Sequence, residues 1–311
     1  MRRKLSLFVA LVGALIIAAP VGAITNGAAD AGEHPYVGEL LFYVPDAKDS
    51  RFDDPGGWFT CSGTLLDSTI VVTAGHCTFG VGKNGESTTR GGVDTTAAAG
   101  GSGGNDVWVN FGETPDFSIL PPSSGFGRSE NPERYAAWTA KLIANSAWHR
   151  GTASPHTLYD DNAFFVHDAG VVKLGSEVQM LKYGRIAGPD YLDKYRSTPR
   201  NTQRFESVGY GLERVQGKKE FGGDTRMKSE PKLDSLTSRP PDTYIVISNN
   251  TATGGTCFGD SGGPTFDNTS SNLVVAVTSW GQSPNCGGKG GAYRLDQPDD
   301  QEFLLGFGIT P

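Results

Sequence analysis

The sequence predicts an all-β protein, on three observations. Glycine supplies 43 of 311 residues, about twice the usual share, as a chain with many tight turns requires. Apolar residues come in short runs of strand length, separated by Gly, Pro, Asn, Asp and Ser. No long helical periodicity appears before the C-terminus. In order, strands are predicted at 37–44, 63–72, 106–111 (where Val107-Trp108-Val109 alternates), 141–144, 169–174, 205–210, 244–248, 273–280 and 291–295. One short helix is predicted at 298–307, with Pro298 in its first turn, Asp299, Asp300 and Glu302 near its start and Gly308 as a stop.

Stretches 80–104, 116–134, 150–161 and 213–231 are predicted loops. The first is Gly-, Ser-, Thr- and Ala-rich with almost no large apolar residue. It buries too little surface to offset its ordering entropy and is expected to be mobile. The chain is too long for one small barrel and suits two packed β domains.

Arg2, Arg3 and Lys4 precede an apolar run over 5–19, and Val21-Gly22-Ala23 ends it with small residues. This is the layout of a secretory signal peptide over 1–23. The run falls short of the roughly 18 residues of a membrane span. Arg2-Arg3 hints at twin-arginine export without the usual surrounding pattern. Losing the segment takes the formal charge from −7 to −10, since Arg2, Arg3 and Lys4 go with it. Such an acidic chain does not fit nucleic acid or an anionic membrane as main partner. The cysteines Cys61, Cys77, Cys257 and Cys286 are expected as disulfides in an exported protein. Three connectivities are possible; sequence proximity favours Cys61–Cys77 with Cys257–Cys286. A zinc site lacks the C-x-x-C spacing or second histidine that would support it.

Chemistry concentrates in three strings. Gly259-Asp260-Ser261-Gly262-Gly263-Pro264 sets a serine between glycines, where the backbone turns sharply and its N–H groups come close to a substrate. Taken alone it also reads as a turn between strands. Thr73-Ala74-Gly75-His76-Cys77 follows an apolar strand, and a histidine there is also compatible with plain core packing. Asp168 heads the apolar run 169–174; it is either a strand-end residue or, beside His76, the group that fixes the imidazole's tautomer. His34, His149, His156 and His167 have no supporting pattern and receive no role.

In that order, these strings resemble the chymotrypsin/trypsin-like serine proteases. Ser279-Trp280-Gly281 and Gly290-Gly291-Ala292-Tyr293 fall where that family builds its substrate pocket. The resemblance implies two antiparallel six-stranded barrels with the active site between them, over 24–182 (His76, Asp168) and 183–311 (Ser261, C-terminal helix). It implies His76 as general base, Asp168 as its orienting acid and Ser261 as nucleophile, with the N–H groups of Gly259 and Ser261 as oxyanion hole. The implied activity is a secreted serine endopeptidase that acts on proteins or peptides, with no cofactor, no metal, protein inhibitors as further partners and a monomeric state. Asp260 is implied to receive a new N-terminal ammonium, and cleavage after Ala23 would supply Ile24.

By the same alignment the pocket base is Gly255, followed by Thr256, with Gly281 and Gly291 on the walls. No acid stands at Gly255 to pair with Arg or Lys, which implies a preference for large apolar or aromatic side chains; Thr256 and the longer 282–285 segment leave small residues as the alternative. Gly75, Ala169-Gly170-Val171 and Tyr210 depart from the commoner residues of the family without removing a catalytic group. The 80–104 stretch lacks the spaced carboxylates of a calcium loop. Asn249-Asn250-Thr251 and Asn268-Thr269-Ser270 are glycosylation sequons, relevant only in a eukaryotic secretory route. Two other classes fit the sequence less well. A catalytically dead binding module would typically lack one of His76, Asp168 and Ser261. An α/β-hydrolase esterase would place its histidine last and alternate strands with helices.

Overall fold

A computed structural model of the chain describes residues 24–83, 106–163, 165–236, 244–268 and 272–311. Seventeen strands and two α-helices occur among them. After the short β1 (Ala28–Ala29), six strands close an antiparallel barrel: β2 (Val37–Val44), β3 (Gly57–Leu65), β4 (Ile70–Thr73), β5 (Asp106–Asn110), β6 (His149–Pro155) and β7 (Gly170–Leu174). Their order is β2-β3-β4-β7-β6-β5, closed by pairs such as Leu40 with Val109. Leu40, Val71, Val107, Val109, Ala153 and Val172 share the inward face by register and are fully buried.

The second half is a curled sheet of β8 (Arg185–Ile186), β9 (Phe205–Gly209), β12 (Met227–Ser229), β13 (Leu233–Leu236), β14 (Tyr244–Asn249), β15 (Pro264–Asp267), β16 (Leu273–Gly281) and β17 (Gly288–Arg294), joined at its edge by β1. Six of these strands, β9-β15-β16-β17-β14-β13, form the expected ring. Its ends meet through a short Arg204–Lys232 bridge rather than a full ladder. An exposed hairpin, β10 (Leu212–Gln216) with β11 (Lys219–Gly222), stands apart.

Four sequence expectations change. The run 63–72 breaks at Asp67, whose carboxylate accepts the N–H groups of Thr69 (2.6 Å) and Ile70 (2.7 Å) and turns the chain between β3 and β4. The predicted strand 141–144 is the end of helix α1 (Asn131–Ile143), whose first turn, with Pro132 and Glu133, takes up the last residues of the predicted loop 116–134. That helix buries Leu142 and packs Trp138 in a cluster with Leu41, Trp58, Trp108, Leu120 and Trp148. Within the predicted loop 150–161 lies β6, a strand of small and polar residues that exists because β5 and β7 supply its ladder. Within 213–231 lie the hairpin and β12; the hairpin's residues are largely exposed, so no apolar alternation marks it. The C-terminal helix α2 (Pro298–Leu305) matches expectation. Residues 84–104 of the 80–104 loop lie outside the described residues.

One core spans both halves: it runs from Leu65, Val71 and Val172 of the barrel to Val208, Phe266, Val277 and Tyr293 of the sheet, then to Phe303 and Leu304 of α2. The disulfides are Cys61–Cys77 and Cys257–Cys286. The first closes 16 residues from β3 to the turn after β4. Replacing Cys61 and Cys77 by Ser should lower unfolding free energy by about 3 kcal/mol, by loop-closure entropy. Urea denaturation monitored by tryptophan fluorescence measures this, and an unchanged midpoint would contradict it.

Candidate active site

Asp168 enters β7 from a turn in which His167 has a left-handed backbone, φ +52°. Its carboxylate has no solvent exposure. The backbone N–H of His76 donates to Oδ1 (2.8 Å), and His76 Nδ1 lies 2.9 Å from Oδ2 and 3.0 Å from Oδ1. Ser279 Oγ donates to Oδ2 at 2.6 Å. A carboxylate only accepts, so Nδ1 carries the ring proton and Nε2 presents its lone pair. His76 sits on a short 3-10 turn (Gly75–Cys77) held by the Cys61–Cys77 disulfide. Burial disfavours its charged form, but the charge and hydrogen bond of Asp168 outweigh that and hold the imidazole above its ordinary pKa.

Ser261 lies between the halves. Its carbonyl accepts from Ser62 N of β3 (2.7 Å), and Gly262 N donates to Thr278 O of β16 (2.8 Å). Gly262 has φ +74°, and a Cβ there would lie 1.9 Å from Thr73 Oγ1, so only glycine lets the serine loop approach the end of β4. Upstream, Asp260 N donates to Cys257 O (3.1 Å) in a turn with Gly259 at φ +96°. Leu212 N holds the Phe258 carbonyl at 2.8 Å. In a planar trans peptide the Gly259 N–H then points the opposite way, away from the hairpin. Neither the Gly259 nor the Ser261 N–H donates to a protein acceptor among the described residues. Two free donors beside a serine suit a developing oxyanion.

Asp260 is fully buried; its Oδ1 accepts from Gly211 N and its Oδ2 from Cys257 N, both at 2.8 Å. Burial pushes its pKa up to about 7, against the pull of these two N–H groups. Ile24 is also fully buried, against Met227. Its N donates to Gly211 O (3.3 Å), so one residue, Gly211, touches both Ile24 and Asp260. Thr25 and Gly255 exchange two backbone bonds, 2.9 and 3.0 Å, which seat the segment next to the pocket.

Beside Ser261 opens a cavity of about 360 Å³. Thr256, Ser279, Trp280 and Gly281 line it as expected, and none of its lining residues is ionisable apart from the disulfide-bonded cysteines. Gly255 and Gly291 do not reach it. The space beside Gly255 holds Asn249, 2.2 Å from where a Cβ would sit, and that beside Gly291 holds the Trp280 indole, 2.1 Å away. Phe258, Thr278, Ser283 and Pro284 also line the cavity. They flank the strings already read, and nothing in their own spacing marks them. Asn249, the first sequon residue, is buried and donates to Thr256 O (2.6 Å), so it cannot carry a glycan in the folded protein.

Comparison with known proteins agrees with this picture. A trypsin family model matches residues 143–297. The solved structure of HL collagenase is 17% identical, with a TM-score of 0.59 over 93% of this chain and 100% of that one. Mouse neuropsin, a serine protease, is 16% identical (TM-score 0.52, 92% and 99% covered). Human heparin binding protein is 14% identical (TM-score 0.53, 93% and 99%). At these identities the structures show likeness of fold.

While the 23–24 peptide bond is intact, Ile24 N carries no charge to meet Asp260. Asp260 then titrates at about 7 folded against 3.8 as its ordinary value. A raised acid favours the folded state at low pH, so stability should fall as pH rises from about 4 to 7 and level off above, by up to about 4 kcal/mol. Urea denaturation of the uncleaved Ser261→Ala protein at pH 5 and pH 8 tests this; an equal difference in a further Asp260→Asn variant would refute it.

Proposed function

We propose that this chain, which belongs to the chymotrypsin/trypsin-like serine protease family, is a secreted endopeptidase that cleaves through an acyl-enzyme after large apolar or aromatic residues. It is a serine-type peptidase. The reading rests above all on the buried Asp168 carboxylate, which receives donors from His76 of the barrel and Ser279 of the sheet. Ser261 Oγ attacks the scissile carbonyl while His76 Nε2 takes its proton. The imidazolium is stabilised by Asp168 and returns the proton to the leaving amine. The N–H groups of Gly259 and Ser261 receive the oxyanion, a contribution of roughly 3–4 kcal/mol per donor in comparable sites. Water then repeats the sequence on the ester.

Apolar specificity follows from a cavity walled by Phe258, Trp280 and Pro284 without a charged side chain. Fold alone does not decide function, since one solved neighbour is named for binding heparin. The complete set of His76, Asp168 and Ser261 supports catalysis here, and the net charge of −7 does not suit a polyanion. Export is supported by the leader pattern at 1–23 and by two disulfides. No helix among the described residues is long and apolar enough to cross a membrane. Activation would follow cleavage after Ala23, when the Ile24 ammonium pairs with Asp260.

A fluorophosphonate probe should label the secreted protein and not Ser261→Ala, and a peptide library should show Phe, Tyr or Leu before the cut. Absence of label on folded, processed protein would end the enzyme reading; a strong Arg or Lys preference would end the specificity reading alone. N-terminal sequencing of the active protein should begin at Ile24. Any other start would rule out direct activation by leader removal.

A further inference from the structure

Sequence pattern assigns no role to His156 and His167, yet the fold brings them together. His156 follows β6 and His167 precedes Asp168. Their rings stack 5.2 Å apart at 8°. Asp299, from the first turn of α2, completes a group in which one donor atom of each residue lies within 4.8 Å of the others. His167 Nδ1 is buried and makes no hydrogen bond, although Asp299 Oδ2 is only 2.9 Å away. Three donor atoms this close together can be shared by one ion. His156 Nε2 faces the same corner, 3.4 Å from the Asp299 carbonyl oxygen and 3.8 Å from Asp300 Oδ1.

We propose that His156, His167 and Asp299 form a binding site for one zinc ion that ties the segment carrying Asp168 to α2. Two imidazoles, one carboxylate and a water are a common tetrahedral zinc set. Donors bound at about 2.0 Å stand roughly 3.3 Å apart, so modest side-chain rotation closes the site. Zinc needs each imidazole in its neutral form. His156 Nδ1 accepts from Leu158 N at 3.2 Å, a contact the ring gives up when its proton moves to make room for the ion. Asp300, buried and bonded to Tyr293 Oη, lies behind the site as an acceptor for bound water. The segment is short and coupled: Ala169 N donates to His167 O, and His156 N donates to Ala169 O, both at 2.8 Å. Zinc would therefore fix both residues that flank Asp168. None of its three residues belongs to the proposed catalytic set.

The test uses metal-free Ser261→Ala protein, which cannot digest itself, titrated with Zn²⁺ by calorimetry and with Co²⁺ by visible absorption. One ion per chain is expected, with a raised Tm and the intense Co²⁺ bands of tetrahedral coordination. Adding His167→Asn or Asp299→Asn should weaken binding about tenfold or more, in the range seen when metal sites lose a supporting group. Adding His76→Asn should leave binding intact, which separates this site from the catalytic histidine. Circular dichroism and metal-free melting confirm that each variant folds. Zinc binding that survives His167→Asn, binding lost with His76→Asn, or no saturable binding to the Ser261→Ala parent overturns the proposal.

Discussion

A carboxylate withdrawn from water must be met by donors, and Asp168 is the place where this chain accepts that demand. Its donors come from the turn after β4 and from β16, one in each half. The charge is satisfied only when the two halves sit in one relative position. The rest of the architecture serves that condition. The Cys61–Cys77 disulfide restrains the His76 turn, the shared core runs from one half to the other, and Phe303 and Leu304 of α2 pack into it. The fold thus makes the orientation of one imidazole a consequence of global packing.

Asp260 poses the same problem with a different solution. It has two N–H donors but no cation, and burial leaves it with a pKa near 7. The proposed ammonium at Ile24 would complement it. Gly211 shows the route, since its carbonyl touches Ile24 N while its N–H holds Asp260. Ile24 also has φ +65°, an unfavourable backbone for a β-branched residue. That torsion exists only while residue 23 is attached, so cleavage would remove a strain and supply a charge in one step. The neighbouring turn at Gly259 shares its residues with Asp260, so the N–H groups proposed as oxyanion donors and the buried acid are one local structure.

The strings of the candidate site are legible because each has particular residue types at fixed neighbouring positions: glycines around Ser261, an acid just before β7, a histidine beside Cys77. Apolar strands such as 37–44 and 169–174 were legible for the same local reason. What escaped depends on partners distant in sequence. β6 is polar and small, and becomes a strand only between β5 and β7. α1 was hidden because Trp138 and Leu142 find their apolar neighbours in Leu41, Trp108 and Trp148. Ser279 was read as a pocket residue, and its hydroxyl proves to reach back to Asp168.

The pocket shows most clearly how far one position fails to define a site. Sequence alignment makes Gly255 the base and treats its missing side chain as open space. In the folded chain that space is filled by Asn249, whose carboxamide also holds the Thr256 carbonyl. Even a methyl group at 255 would meet Asn249, so an acid at this position is excluded by packing unless Asn249 moves. Trp280 acts similarly at Gly291, where its indole covers the glycine and meets Tyr244 edge-on at 5.6 Å. Gly255 and Gly291 are therefore covered by Asn249 and Trp280, and of these four only Trp280 lines the cavity. Opening the space beside both glycines means repacking β14 and β16 together.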